Sequence, residues 1–195
     1  MREHQGALLT VRISYSAFLI LAAVGVFTPA TEATRAVASG GPRDVIIVRN
    51  AEEPPGTDVH LSAEGKARAR ALATWIPATY GEPEALFASK PTTNSRRAVE
   101  TLEPLAAALK LKIHDTFANE DYAKMVATVL SNDAYTGKRV VIAWQRGNLQ
   151  NIARAFGAKQ PPDWPAGQYD HLWRLQFAGT VVTVEDIVQK VQIGK

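Results

Sequence analysis

The chain has no cysteine. Disulfides, thiolate nucleophiles and cysteine-ligated metals are therefore excluded, and the composition carries no trace of redox compartment. It also lacks any run of lysine or arginine. Its 22 basic and 19 acidic residues are interspersed, for a formal net charge of +3, and this argues against a nucleic-acid partner. No uncharged apolar core reaches the roughly 20 residues that a membrane-spanning helix needs. Internal repeats, low-complexity tracts and signs of a second domain are missing too. What remains is ordinary: 46% hydrophobic and 21% charged residues over a length of 195, enough for one domain with a sizeable core.

The first 38 residues read as a targeting segment. Arg2, His4 and Arg12 form a basic leader, residues 17–27 (AFLILAAVGVF) form an uncharged apolar core, and Ala36-Val37-Ala38 has the A-x-A form of a signal-peptidase site. This three-part pattern predicts a cleaved secretory signal, residues 1–38, ahead of a single domain, residues 39–195. The alternative is a retained N-terminal anchor, against which the shortness of the apolar core argues. The expected location is periplasmic or extracellular, with no stable membrane insertion after cleavage.

Beyond the leader, apolar runs alternate with helical patterns. Asp44-Val45-Ile46-Ile47-Val48 and Val140-Val141-Ile142-Ala143-Trp144 are continuous apolar segments rich in β-branched residues, as expected of strands buried on both faces. Shorter strands are expected at residues 85–89 and 111–114, with closing strands at 173–177 and 181–184 around Ala178-Gly179. Helices are expected from Ser62, a plausible N-cap, to about Ile76 before Pro77, and then over residues 94–109, 122–130 and 148–156. Such alternation predicts an α/β fold, a three-layer sandwich with a mainly parallel central sheet flanked by helices.

In an open α/β sheet, ligands bind beyond the carboxyl ends of the strands. Three strand ends carry arginine: Arg49 followed by Asn50-Ala51-Glu52, Arg97 (or its neighbour Arg96) beyond Ser89, and Arg146 followed by Gly147-Asn148. Arginines converging near helix N-termini suit a planar or tetrahedral oxyanion. The plainer alternative for any one of them is a solvated surface charge.

Four segments in order resemble the histidine phosphatase superfamily, also called phosphoglycerate-mutase-like: Arg49-Asn50-Ala51 after the first strand, Leu61-Ser62-Ala63-Glu64-Gly65, Ser89 followed by Arg97-Ala98-Val99-Glu100-Thr101, and Arg146-Gly147-Asn148 after a later strand. The resemblance covers nearly the whole chain after the leader. It implies a phosphoglycerate-mutase-like fold and a phosphate site formed by Arg49, Arg97, Arg146 and Asn148. It also implies a general acid at Glu120 or Asp121, either of which could instead cap the helix beginning near Tyr122.

Two departures matter most. The family's nucleophilic histidine is replaced by Asn50, and the histidine before Gly-Asn is replaced by Arg146. A carboxamide nitrogen has no available lone pair, so Asn50 cannot serve as a covalent nucleophile. His60, His114 and His171 are scattered and give no metal-ligand spacing, so neither metal nor cofactor is expected. Trp144, Trp164 and Trp173 are expected mainly in the core rather than on an interaction surface.

Three functions follow. The leading one is an exported pseudoenzyme that binds phosphate or a phosphorylated small molecule without turnover. The second is a phosphomonoester hydrolase in which water attacks directly and Glu120 or Asp121 acts as acid or base. The third is a non-enzymatic interaction module.

Overall fold

The computed structural model describes residues 40–193. The expected signal segment, residues 1–38, lies outside them. Among the described residues no helix is long and apolar enough to cross a membrane.

Six strands form one sheet. In chain order they are β1 (Asp44–Arg49), β2 (Ala85–Ala88), β3 (Ile113–His114), β4 (Arg139–Trp144), β5 (His171–Ala178) and β6 (Val181–Val188). Their spatial order is β3-β2-β4-β1-β5-β6. The first four are mutually parallel, and β5 and β6 add an antiparallel hairpin at one edge. Gly179 at φ 61 supplies the positive φ of the tight hairpin turn.

Four helices connect the strands: α1 (Ala63–Tyr80), α2 (Arg97–Leu109), α3 (Tyr122–Ser131) and α4 (Leu149–Ala155). The period-two geometry of a strand sends alternate side chains to opposite faces, and here both faces are apolar. Val45, Ile47, Phe87, Ile142 and Trp144 pack with Met125 and Val129 of α3 and Ile152 of α4. Ile46, Val48, Leu86, Val141 and Ala143 pack with Leu72 and Ile76 of α1 and Leu102 and Leu105 of α2. Helices thus cover both sides of a mainly parallel sheet, the three-layer sandwich expected from the alternation.

Several boundaries differ from those expected, and the larger differences have a physical reason. Helix α1 does not stop before Pro77. It runs one turn further to Tyr80, because a proline loses only its own N–H donor and its carbonyl still accepts from Gly81 N at 2.9 Å. Helix α2 begins at Arg97, since Thr92 Oγ1 accepts from the amides of Asn94 and Ser95 and holds those residues in a turn. The closing strands are longer than their apolar centres, because hairpin pairing carries polar residues such as Asp186 into β6.

The amino ends of the strands are closed by ion pairs. Asp44, 1% exposed, accepts from Arg139 Nε at 2.8 Å and Nη2 at 2.7 Å. It also accepts from Arg174 Nε at 3.0 Å and Nη2 at 2.9 Å. Arg139 gives a further bond to the carbonyl of Gly81.

Candidate functional site

At the opposite end of the sheet the parallel register sets Arg49 beside Trp144 and Ala88 beside Ala143. The loops after β1, β4 and β2 therefore open on one side. Asn50 N donates to the carbonyl of Trp144 at 2.9 Å, which keeps the β1 loop on the sheet for one residue more. Ala51 N donates to Thr101 Oγ1 at 2.9 Å, and that hydroxyl donates to the carbonyl of Arg97 at 2.7 Å. Thr101, fully buried, thus ties the loop to the first turn of α2, where Arg97 begins.

The same loop is tied to α1. Ser62 N donates to the carbonyl of Glu52 at 3.0 Å, and Ser62 Oγ accepts from Gly65 N at 3.0 Å as the N-cap. A Cβ at position 65 would run into the backbone carbonyl of Glu52, so only glycine allows α1 to start this close. The Leu-Ser-x-x-Gly segment is therefore a docking device for the loop after β1. Glu52, buried, forms a closed ion pair with Arg68 of α1.

The arginines differ in what they hold. Arg49 is 8% exposed. Its Nη1 donates to the carbonyls of Ala166 and, at 3.3 Å, Gln168, and its guanidinium stacks 3.7 Å from the centre of the Tyr169 ring. Burial pushes its pKa below the ordinary arginine value. Tyr169, Glu53 and Glu52 oppose that fall and the charge of Arg146 adds to it. Arg97 donates to the carbonyl of Asp58 at 2.8 Å and pairs with Glu53 at 2.9 Å. Arg146 is exposed, and its Nη1 reaches the carbonyl of Trp164 at 3.4 Å. Arg49 and Arg146 thus meet the same segment, residues 164–168, and Arg97 pairs with Glu53 of the loop that follows Arg49. Arg96 instead points its charge toward Glu100, at 3.9 Å.

Two of these arginines are incompletely satisfied. Arg49 Nε and Arg97 Nε are buried and have no hydrogen-bond partner among the described residues. A buried guanidinium N–H without an acceptor is rare in a folded protein and costs free energy. Asn119 Oδ1 is the third orphan on this side.

The other sequence candidates fall as follows. Asn50 is buried, and its Nδ2 donates to the carbonyl of Ala51 at 3.2 Å. Asn148 donates to the carbonyl of Asn119 at 2.9 Å and accepts from Asn151 Nδ2 of α4 at 3.1 Å, so its amide is used at both ends. Trp144 Nε1 donates to the same Asn119 carbonyl at 3.0 Å. These bonds hold the 3-10 turn Asn119–Asp121 against the carboxyl end of β4. Asp121 does not cap α3 with its side chain. It pairs with Lys124 at 2.6 Å, and that bond raises the lysine pKa. Glu120 is exposed on the same turn.

The histidines are engaged elsewhere: His60 with Glu100, His171 with Asp186 at 2.7 Å, and His114 stacked on Phe87. Among the described residues no cluster of His, Asp and Glu is placed to hold a metal ion. Trp144, Trp164 and Trp173 are all buried, as expected of core residues.

Residues 164–170 are the part the sequence reading missed. The carbonyls of this segment and the Tyr169 ring cover Arg49, and its residues line two clefts. One cleft, of about 650 Å³, is lined by Glu52, Glu53, Glu64, Tyr169 and Asp170 among others. The other, of about 300 Å³, includes Arg146, Gln150, Asp163 and Trp164. The available signal was an aromatic residue shortly after a Pro/Gly-rich loop, which marks a segment without marking what it covers.

No family model matches the chain. No curated protein matches it either. Solved structures do. The alpha-ribazole phosphatase from Shigella flexneri aligns at a TM-score of 0.53 with 14% identity, over 78% of this chain and 98% of the other. The protein histidine phosphatase SixA complexed with tungstate aligns at 0.52 with 17% identity, over 74% and 96%. These likenesses show that the chain has the fold of these phosphatases.

Proposed function

We propose that the chain is an exported oxyanion-binding protein, built on the histidine phosphatase fold, that has lost the covalent step. The observation carrying this reading is the pair of buried, unpartnered Nε atoms on Arg49 and Arg97, next to a loop whose nucleophile position holds Asn50. Two N–H donors on fixed guanidinium groups suit a phosphate or a phosphorylated small molecule, whose oxygens accept without donating. Asn50 keeps a polar group there and removes the lone pair that attack on phosphorus requires. Arg146 adds permanent charge where a histidine would exchange a proton. Export rests on the three-part leader of residues 1–38.

The test is one assay series with a generic aryl phosphomonoester, comparing the natural chain, Asn50→His, and Asn50→His with Arg146→His. Turnover is expected only in the double variant. Equal turnover in all three would reject the reading.

One observation favours a second reading, direct hydrolysis by water. Glu120 is exposed on a turn fastened to the end of β4, where it could move a proton while the arginines stabilise charge on the phosphoryl oxygens. In that case the natural chain turns over slowly. Its rate would follow the titration of a carboxylate, and Glu120→Gln would abolish it.

A further inference from the structure

The contacts of residues 164–170 have a regularity that the oxyanion reading does not use. The carbonyls of Trp164, Ala166 and Gln168, at alternate positions, all accept from the arginines at the carboxyl end of the sheet. The first takes Arg146 Nη1 at 3.4 Å, and the other two take Arg49 Nη1. Three carbonyl oxygens on one strip of backbone thus occupy two guanidinium groups of the candidate phosphate site.

The strip has its own fastening. Trp164 packs at 4.9 Å, ring centre to ring centre, on Trp173 of β5. Its Nε1 donates to the carbonyl of Gln168 at 2.8 Å. Gln168 N closes a turn onto the carbonyl of Pro165 at 3.2 Å. Tyr169 adds its ring to the face of Arg49. Between these fastenings, Pro165, Ala166 and Gly167 are exposed. Few buried apolar contacts and exposed backbone are the marks of a segment that opens locally at low cost.

We propose that residues 164–170 form an autoinhibitory strap whose carbonyl oxygens stand in for the oxygens of the oxyanion, so that ligand and strap compete for Arg49 and Arg146. The proposal rests on the oxyanion reading above and adds regulation to it. A carbonyl carries only partial charge, so a phosphate dianion makes the stronger bonds with the same donors and can displace it. The measured affinity is then the intrinsic affinity multiplied by the fraction of molecules with the strap open. Anything that loosens the strap tightens binding without adding a contact to the ligand.

The experiment measures orthophosphate affinity by calorimetry and amide hydrogen exchange of the 164–170 segment in the same samples. Trp164→Phe removes the indole N–H that holds Gln168 while keeping a ring against Trp173. Loss of one such hydrogen bond is expected to tighten phosphate binding about fivefold. In the natural chain, saturating phosphate is expected to speed exchange at the Gln168 amide.

Tyr169→Ala is the second variant, expected to act in the same direction, should Trp164→Phe disturb the core. Phosphate binding that depends on Arg49, with exchange in the strap unchanged or slowed, overturns the strap and leaves the oxyanion reading standing. No phosphate binding by the natural chain or by either loosened variant overturns both.

Discussion

The two ends of the sheet each gather arginines, and they treat them differently. At the amino ends, Arg139 and Arg174 converge on Asp44, with both Nε and Nη atoms donating to its carboxylate. At the carboxyl ends, among the described residues, Arg49 meets backbone carbonyls and a tyrosine ring, Arg97 pairs with Glu53, and the Nε atoms of Arg49 and Arg97 find no acceptor. The first set is closed: its counter-charge is built in. The second set is more open: Glu53 pairs with Arg97, but among the described residues two Nε donors stay unused. Buried arginine alone therefore does not mark a site; under the proposed function it is the unused donor that does.

The strongest way to break the contrast is to open the closed end. Asp44→Ala leaves Arg139 buried without its partner and should destabilise the fold by about 3–5 kcal/mol in urea unfolding. Because the damage lies at the far end, the folded fraction should bind orthophosphate as before. If phosphate binding disappears while the protein remains folded, the two ends are not independent.

The reverse substitution is milder for folding. Arg97→Ala removes a partly exposed pair with Glu53, and stability should change by less than about 1 kcal/mol. Orthophosphate affinity should fall about tenfold, the value of one charge-assisted hydrogen bond. A large loss of stability with unchanged affinity would make Arg97 structural, like Arg139.

Gly65→Ala perturbs the open end from behind. The added Cβ meets the carbonyl of Glu52 and must shift α1 or the loop, at about 1–3 kcal/mol. Phosphate affinity should drop along with stability, since the loop carries Arg49 and Asn50. Unchanged affinity would mean that the loop tolerates the shift.

Much of this was legible in the sequence. Continuous apolar runs at Val45-Ile46-Ile47-Val48 and Val140-Val141-Ile142-Ala143 gave the central parallel strands, because only burial on both faces removes the polar alternation. From the parallel order it followed that Arg49, Arg97 and Arg146 lie at one end. Their hydrogen-bond states did not follow. Whether Arg49 meets a carboxylate or a carbonyl depends on a loop more than one hundred residues away in the chain, with no periodic pattern to place it. The reach of α1 past Pro77 was hidden for a different reason, since a proline reads as a stop even where the turn after it can still form.

The smallest effect separates titration from the arginine contrast. Burial lowers the His114 pKa from its ordinary 6.5, with Lys112 adding to the fall and Asp115 opposing it. The unfolded chain therefore takes up this proton more readily, and stability should decline as pH falls through 6.5 toward the lower folded value. His114→Gln should remove that slope. Its persistence in the variant would assign the pH dependence to another group.

The most direct test of the open end is a calorimetric titration of the natural chain and Arg49→Ala with orthophosphate. Saturable binding to the natural chain is expected, weakened at least tenfold in the variant, with both proteins folded. Equal binding by the two, or no binding by either the natural chain or Trp164→Phe, would overturn the oxyanion reading.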